Sequence, residues 1–500
     1  MTAPAAPASP PATTGEMPRL KIDSTKRRNS ELALLALALL LVLAYSATVE
    51  ATMLDTITPD FWVPTAALAG VFLALHVVVR FLAPFADPVL IPAAALLNGM
   101  GVGFLRRLDL DDVSGVAEAA DRGAFAGVGG RQLAWTLISV ILAAALLVLI
   151  RDHRNVSRYS YTLGLGAIIL IMIPAVLPAQ YSEVNGAKLW IRFGSAFAIQ
   201  PGEFGKLALV VFFAFYLVRK REVLSLASKR FLGIDFPRGR DLGPVLGVWM
   251  MSLLLLVFVK DLGTALLYFG MFVVTLYVAT ERSSWLIIGL VLFFGGVFLA
   301  YYLGELVGGP FANFYDRATV WLDPFGDIDG DGYQLVQALF AFGTGGLFGT
   351  GPGGGSPGII PEVQNDFIFA GMGEEIGLFG LISLLTLYLI IVERGLRAAL
   401  DVRDSFGKLV AGGLAFTLGL QVFVIIGGIT GLIPLTGQTT PFLSSGGSSL
   451  MANWMLVAML LRISDAARRP LASGGGLAAA PGGKPAPQQL HGAETEVIRP

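Results

Sequence analysis

Cysteine is absent from all 500 residues. That removes disulfides, thiolate metal sites and a cysteine nucleophile together. Charge is scarce as well: 14% of residues are charged against 55% hydrophobic, too little polar surface to cover a soluble fold of this apolar mass. The near balance of charges, net −1, gives no reason to expect a nucleic-acid partner. Histidine occurs three times, as His76, His153 and His491, so imidazole chemistry has few places to sit.

What fills the chain instead is hydrocarbon. Runs of about 20 apolar residues recur, the length at which a helix crosses about 30 Å of bilayer. The fold class read from them is an all-α integral membrane protein, a polytopic helical bundle rather than a β-barrel. The expected spans are Leu32 to Ser46, Phe61 to Phe81, Val89 to Phe104, Leu133 to Ile150, Tyr161 to Leu177, Phe204 to Val218, Val245 to Val259, Gly263 to Ala279, Trp285 to Leu303, Phe367 to Ile391, Leu409 to Ile429 and Ser448 to Leu461. They make about twelve transmembrane helices.

The cations orient them. Counting from an inside amino terminus, Arg151, Arg154 and Arg158, then Arg219 to Arg240, then Arg394, Arg397 and Arg403, then Arg462, Arg468 and Arg469 all fall on one side, as the positive-inside rule requires. Both termini are therefore expected in the cytoplasm. The chain divides into a disordered basic tail (1–31), two amino-terminal spans and a third (32–105), an extracytoplasmic loop (106–131), a first membrane portion (132–304), a large extracytoplasmic loop (305–366), a second membrane portion (367–465) and a disordered Gly/Ala/Pro-rich tail (466–500). The histidines lie in the inner half of a span or in the cytoplasm, which leaves carboxylates as the bases available outside.

The large loop holds seven acidic residues ahead of Asp366 and one cation, Arg317. Within it, Asp327, Asp329, Asp331 and Gly332 match the start of an EF-hand, but Ala338 stands where a bidentate glutamate belongs, so a solvated turn is expected. The run GTGGLFGTGPGGGSPG lacks the ending of a P-loop and reads as a flexible or closely packed segment. Glu203 and Lys206 are one helical turn apart at the head of a span and should pair inside the bundle. Lys260 and Asp261 mark an outer junction, where Asp261 suits either a helix cap or a ligand role. Lys188 and Arg192 flank Trp190, a pattern that fits lipid phosphates and equally fits interfacial anchoring. Glu362 and Asp366 precede a long apolar helix, and Glu374 and Glu375 lie inside it; Glu362, Asp366 and Glu374, spaced by four and eight, share a face if that helix begins early. Two readings of Asp366 stand side by side, a general base with a raised pKa and a helix N-cap.

The motifs GAKLWIRFGSAFAIQPGEFGKLAL, KDLGTALL, WLDPFGDIDGDGYQLVQALFAFGTGGLFGTG, DFIFAGMGEEIGLFG and GLIPLTGQTTPFLSSGGSSLMAN, in this order, resemble the SEDS family (shape, elongation, division and sporulation proteins). The resemblance covers about Glu31 to Pro470 and is nearer the RodA branch than the FtsW branch. It implies a peptidoglycan glycosyltransferase that polymerises lipid II at the outer face of the cytoplasmic membrane. It also implies a class B penicillin-binding protein as transpeptidase partner, other elongation or division proteins, and no nucleic acid. The family's essential carboxylate maps to Asp366, here in QNDF rather than an HTDF-like motif. The candidate substrate-binding set is Lys188, Arg192, Glu203, Lys206, Asp261, Arg317, Glu362, Glu374, Glu375, Ser444 and Ser445. No cofactor is required by this reading, though a divalent cation, Mg or Mn, would suit the pyrophosphate. The alternatives are a lipid II flippase and a non-catalytic membrane scaffold.

Overall fold

The computed structural model describes residues 24–111, 125–184, 187–193, 197–224, 227–231, 234–237, 239–255 and 261–470. Lys260, most of the 106–131 loop's middle and all but the start of the carboxy-terminal tail lie outside them. The described residues up to Arg468 form one compact unit.

Apolar runs free of internal polar groups can satisfy their backbone in a bilayer only as helices, and helices they are. The main ones are α1 (Ser24–Leu54), α2 (Trp62–Leu82), α3 (Leu90–Asp111), α4 (Gly127–Leu149), α5 (Ser160–Val176), α6 (Pro201–Leu224), α7 (Gly243–Leu254), α8 (Leu262–Thr280), α9 (Ser284–Val307), α10 (Ala312–Leu322), α11 (Tyr333–Gly345), α12 (Ile368–Asp401), α13 (Ser405–Ile429) and α14 (Gly447–Arg468). Each expected span, over its described residues, falls on one of them. Among the described residues ten are long and apolar enough to cross a membrane, rather than about twelve. Of the other two, α3 carries Asn98, Arg106, Arg107, Asp109 and Asp111, and residues 256–259 of the expected Val245 to Val259 span lie outside the described residues. Short antiparallel hairpins, Glu183–Val184 with Ala187–Lys188 and Ile191–Phe193 with Phe197–Ile199, connect α5 to α6.

The helices are not equivalent. In the apolar stretch of α14, 83% of residues are buried within the protein, against 17% in α9. The core is built where α14 packs on α4, α13 on α12 and α8, and α6 on α5; α9 faces outward with Val291, Phe294, Phe298 and Leu306 exposed, as lipid contact requires. Residues 24–31, expected within the disordered amino-terminal tail, are helical. Helix α1 begins at Ser24 because Arg28, fully buried, pairs with Glu31 at 2.5 Å and donates to the Ala86 carbonyl, while Glu31 also meets His76 Nδ1 at 2.7 Å. At the same end of the bundle Phe85 N donates to Asp465 at 2.9 Å, Arg468 reaches Asp87 at 2.9 Å, and Arg394 near the end of α12 lies 3.7 Å from Asp87. The start of α1 and the end of α14 are thus at one end, and the start of α12 is at the other.

Far from being one polar loop, residues 305–366 contain the end of α9 together with α10 and α11. The glycine-rich run closes on α12. That helix breaks at Gly377, whose φ of 65° and ψ of −174° suit glycine alone. The carbonyls freed by the break are taken up: Thr350 N donates to Glu374 O at 2.9 Å and Gly351 N to Glu375 O at 3.0 Å, while Leu378 N donates to Gly346 O at 3.0 Å. Of the two expectations for the run, close packing is the one observed.

Candidate active site

Asp366 sits in the turn of residues 361–367, one residue short of the α12 N-cap. The cap is Phe367, whose side chain has no acceptor, and the Asp366 carboxylate accepts from its own backbone N–H rather than from the helix. Its side chain is half-buried and makes no ion pair within 4 Å among the described residues. Burial pushes its pKa up to about 6, with Glu362 adding repulsion, while its own backbone N–H and the charge of Arg317 pull it back. The preceding turn is tight: Glu362 has a φ of 55° without being glycine, and Asn365 Nδ2 donates to its carboxylate.

Arg317 is positioned by α10. Its Nη1 donates to Leu435 O at 2.8 Å, and Trp321 Nε1, one turn on, donates to Gly431 O at 2.8 Å, so α10 is pinned to the segment after α13. Gly437 faces the guanidinium with a φ of 68°; a Cβ there would lie 3.4 Å from Nη1. The same arginine acts on Asp261, whose pKa burial raises and whose hydrogen bonds to Thr264, with Arg317, lower. Arg317 is therefore the cation shared by two carboxylates. Asp261 caps α8 through Thr264 N at 3.1 Å and also accepts from Thr264 Oγ1, while Gln438 Nε2 donates to that hydroxyl at 3.1 Å. Lys188 lines the same cleft as Asp261, Thr264 and Gln200.

The other expected residues separate into groups. Glu203 and Lys206 pair at 2.6 Å, buried, and Lys206 also donates to Gln421 at 2.7 Å; the Thr439 carbonyl accepts from Gln421 at 3.5 Å, which links the pair to the segment carrying Gln438. Arg192 is exposed, in register with Ala198. Glu375 is fully buried and bound by Arg107 of α3, which also donates to Gly355 O at 2.6 Å and pairs with Asp111. Glu374 accepts from Ser356 N at 3.2 Å. Helix α12 begins at Ile368, after Glu362 and Asp366, so Glu362, Asp366 and Glu374 do not form one helical face. Ser444 and Ser445 are engaged with the chain rather than open: Ser444 Oγ donates to Asn365 O and Ser445 N to Gln364 O at 2.8 Å. The Asp327 to Asp331 segment is a turn in which Asp331 N donates to Asp327 at 3.2 Å. Sequence reasoning missed Thr264, Gln421 and Gln438; a glutamine inside an apolar run, as in LGLQVFV, was the available signal.

The family model described as "Cell cycle protein", covering FtsW, RodA and SpoVE, matches residues 90–469. The peptidoglycan glycosyltransferase RodA of Mycobacterium tuberculosis is 47% identical over 445 residues, 89% of this chain and 92% of the relative. Stage V sporulation protein E of Bacillus subtilis is 36% identical over 68% of this chain and 87% of its own. A chain from a solved structure described as "Structural coordination of polymerization and crosslinking by a peptidoglycan synthase complex" superposes with a TM-score of 0.57 at 24% identity, covering 76% of this chain and 97% of that one, which shows a shared fold. A multi-pass membrane bundle with these motifs, matched over residues 90–469, belongs to the FtsW/RodA/SpoVE family of cell cycle proteins, the SEDS family.

Proposed function

We propose that this chain is a peptidoglycan glycosyltransferase that polymerises lipid II into β-1,4 glycan at the outer face of the cytoplasmic membrane, for elongation and shape. The observation that carries the site assignment is Asp366: a carboxylate at the mouth of the bundle, without an ion pair among the described residues, with a pKa of about 6, near the value at which a base is both ionised and basic at neutral pH. The donor is an α-linked sugar pyrophosphate and the product a β-linked glycan, so one inverting displacement is enough. Asp366 takes the proton of the acceptor 4-hydroxyl as that oxygen bonds to the anomeric carbon and the bond to the pyrophosphate breaks. Undecaprenyl pyrophosphate leaves with the electron pair, needing no acid. Arg317, with Lys188 and Arg192, supplies positive charge for the departing group; the lipid tails stay between helices in the bilayer.

Among the described residues no three His, Asp or Glu side chains converge as a protein metal cage would need. A divalent cation, Mg or Mn, fits this site only as a companion of the substrate pyrophosphate, and no step above uses one. A class B penicillin-binding protein supplies the crosslinking half; support comes from the fold shared with a chain of a peptidoglycan synthase complex. The test is to purify the protein with that partner, supply lipid II and measure polymer with wild type and Asp366→Asn. Polymer from both, or none from wild type while labelled lipid II crosses vesicles, overturns the reading in favour of a flippase or scaffold.

The sidedness reading places both termini in the cytoplasm and Asp366 outside. The native chain has no cysteine, so a single Asp329→Cys variant should react with a membrane-impermeant maleimide in intact cells, and Arg403→Cys only after permeabilisation. The reverse pattern inverts the topology.

A further inference from the structure

Gln132 on α4 is fully buried, and its side-chain hydrogen bonds run to backbone groups of Ser444 and Gly446 rather than to Asp366, Arg317, Lys188 or Arg192. Its amide grips the loop before α14 at two points: Nε2 donates to Ser444 O at 2.9 Å, and Oε1 accepts from Gly446 N at 3.3 Å. Ser444 Oγ accepts from Thr440 N at 2.8 Å and donates to Asn365 O, while Ser445 N donates to Gln364 O at 2.8 Å. The two carbonyls so held belong to the two residues ahead of Asp366. Gln132 is itself fixed from behind. Its carbonyl accepts from Thr136, Thr136 accepts from Asn98 at 3.1 Å, and Asn98 accepts from Trp454 at 3.0 Å. Fully buried amides are kept where both of their faces are satisfied, and here the satisfied faces clamp the backbone of the base.

We propose, resting on the assignment of Asp366 as base, that Gln132 is a positioning residue acting through Ser444 and Ser445 to hold Asp366 in its half-buried seat. It sets the carboxylate's aim and proton affinity without meeting the substrate. A base misplaced by a fraction of an ångström loses rate rather than binding, so the signature is in kcat and in the pH profile.

The experiment measures lipid II polymerisation by the full chain with its transpeptidase partner, across pH 5–8, for Gln132→Leu, Ser444→Ala, Ser444→Thr and the Gln132→Leu/Ser444→Ala double variant. Gln132→Leu is expected to lower kcat about tenfold with KM within about twofold, and to move the acid limb below its wild-type position as the seat opens to water. Ser444→Ala should do the same, Ser444→Thr should restore activity, and the double should be no worse than the poorer single. A second readout needs no turnover: in the cysteine-free chain, Asp366→Cys should react with maleimide several-fold faster when Gln132→Leu is added. Unchanged kcat and acid limb in folded Gln132→Leu, a loss confined to KM, multiplying losses in the double, or unchanged thiol reactivity each overturn the proposal. If Gln132→Leu does not accumulate, Ser444→Ala against Ser444→Thr decides by the same rate, pH and thiol measurements. An inactive wild type would sink the functional reading, and the thiol rates would still decide this one.

Discussion

Glu375 and Asp366 lie nine residues apart on one segment and meet opposite fates. Glu375 is sealed in the bundle against Arg107, which is bonded in turn to Gly355 O and Asp111. Asp366 has no direct counterion among the described residues, only the charge of Arg317 at a distance and burial enough to bring its pKa to about 6. A carboxylate sealed against a tight cation has its oxygens engaged and is shut off from substrate; one with burial and only a remote cation is poised to take a proton. Sequence shows two acids in a row of similar acids. The neighbours assign the work.

This contrast can be broken in order of effect. Asp366→Asn should cost about 10²–10⁴ in polymerisation rate while leaving thermal unfolding in detergent unchanged or slightly raised; a normal rate would remove the base. Arg107→Met leaves Glu375 buried without its partner and should cost about 3–5 kcal/mol of stability, most of it recovered when Glu375→Met is added. Full additivity of the two losses in a double-mutant cycle would show that the pair is not the lock described. Gly377→Ala forces a side chain into left-handed backbone with a Cβ 2.3 Å from Gly349 N, an expected loss of about 1–3 kcal/mol; a neutral result would mean that the break in α12 relaxes.

The smallest effect is in pH. The folded pKa of Asp366 lies above its ordinary value of about 3.9, so the folded state binds the proton more tightly than the unfolded chain. Its contribution therefore favours folding below about pH 4, fades between about 4 and 6, and is absent above. Solvent screening of this half-buried group limits the change to about 1–2 kcal/mol. Asp366→Asn should flatten that slope in unfolding temperature between pH 4 and 6. Activity should run the other way, falling about tenfold per unit below pH 6. A slope unchanged by the substitution would place the titrating group elsewhere.

Several parts of this were legible early. Each expected span, over its described residues, lies on a helix because an apolar run of that length has one way to satisfy its backbone in lipid. The Glu203 and Lys206 pair followed from spacing alone, since residues three apart on a helix are neighbours. The start of α1 was not legible, because Arg28 and Glu31 look like a solvated tail until Ala86 and His76 arrive from other helices. Nor was the engagement of Ser444 and Ser445 with the turn before Asp366, or the pairing of the glycine-rich run with the break at Gly377.

By itself the sequence determined the class of molecule and where its helices lie. These are properties of composition and period, which act locally. Tertiary structure alone decided that Glu375 is a lock, that Asp261 caps α8, that Arg317 serves two carboxylates and that Asp366 is left without an ion pair among the described residues. Each of those depends on a group brought from a distant part of the chain, and charge in a buried site is governed by whatever stands within a few ångströms of it.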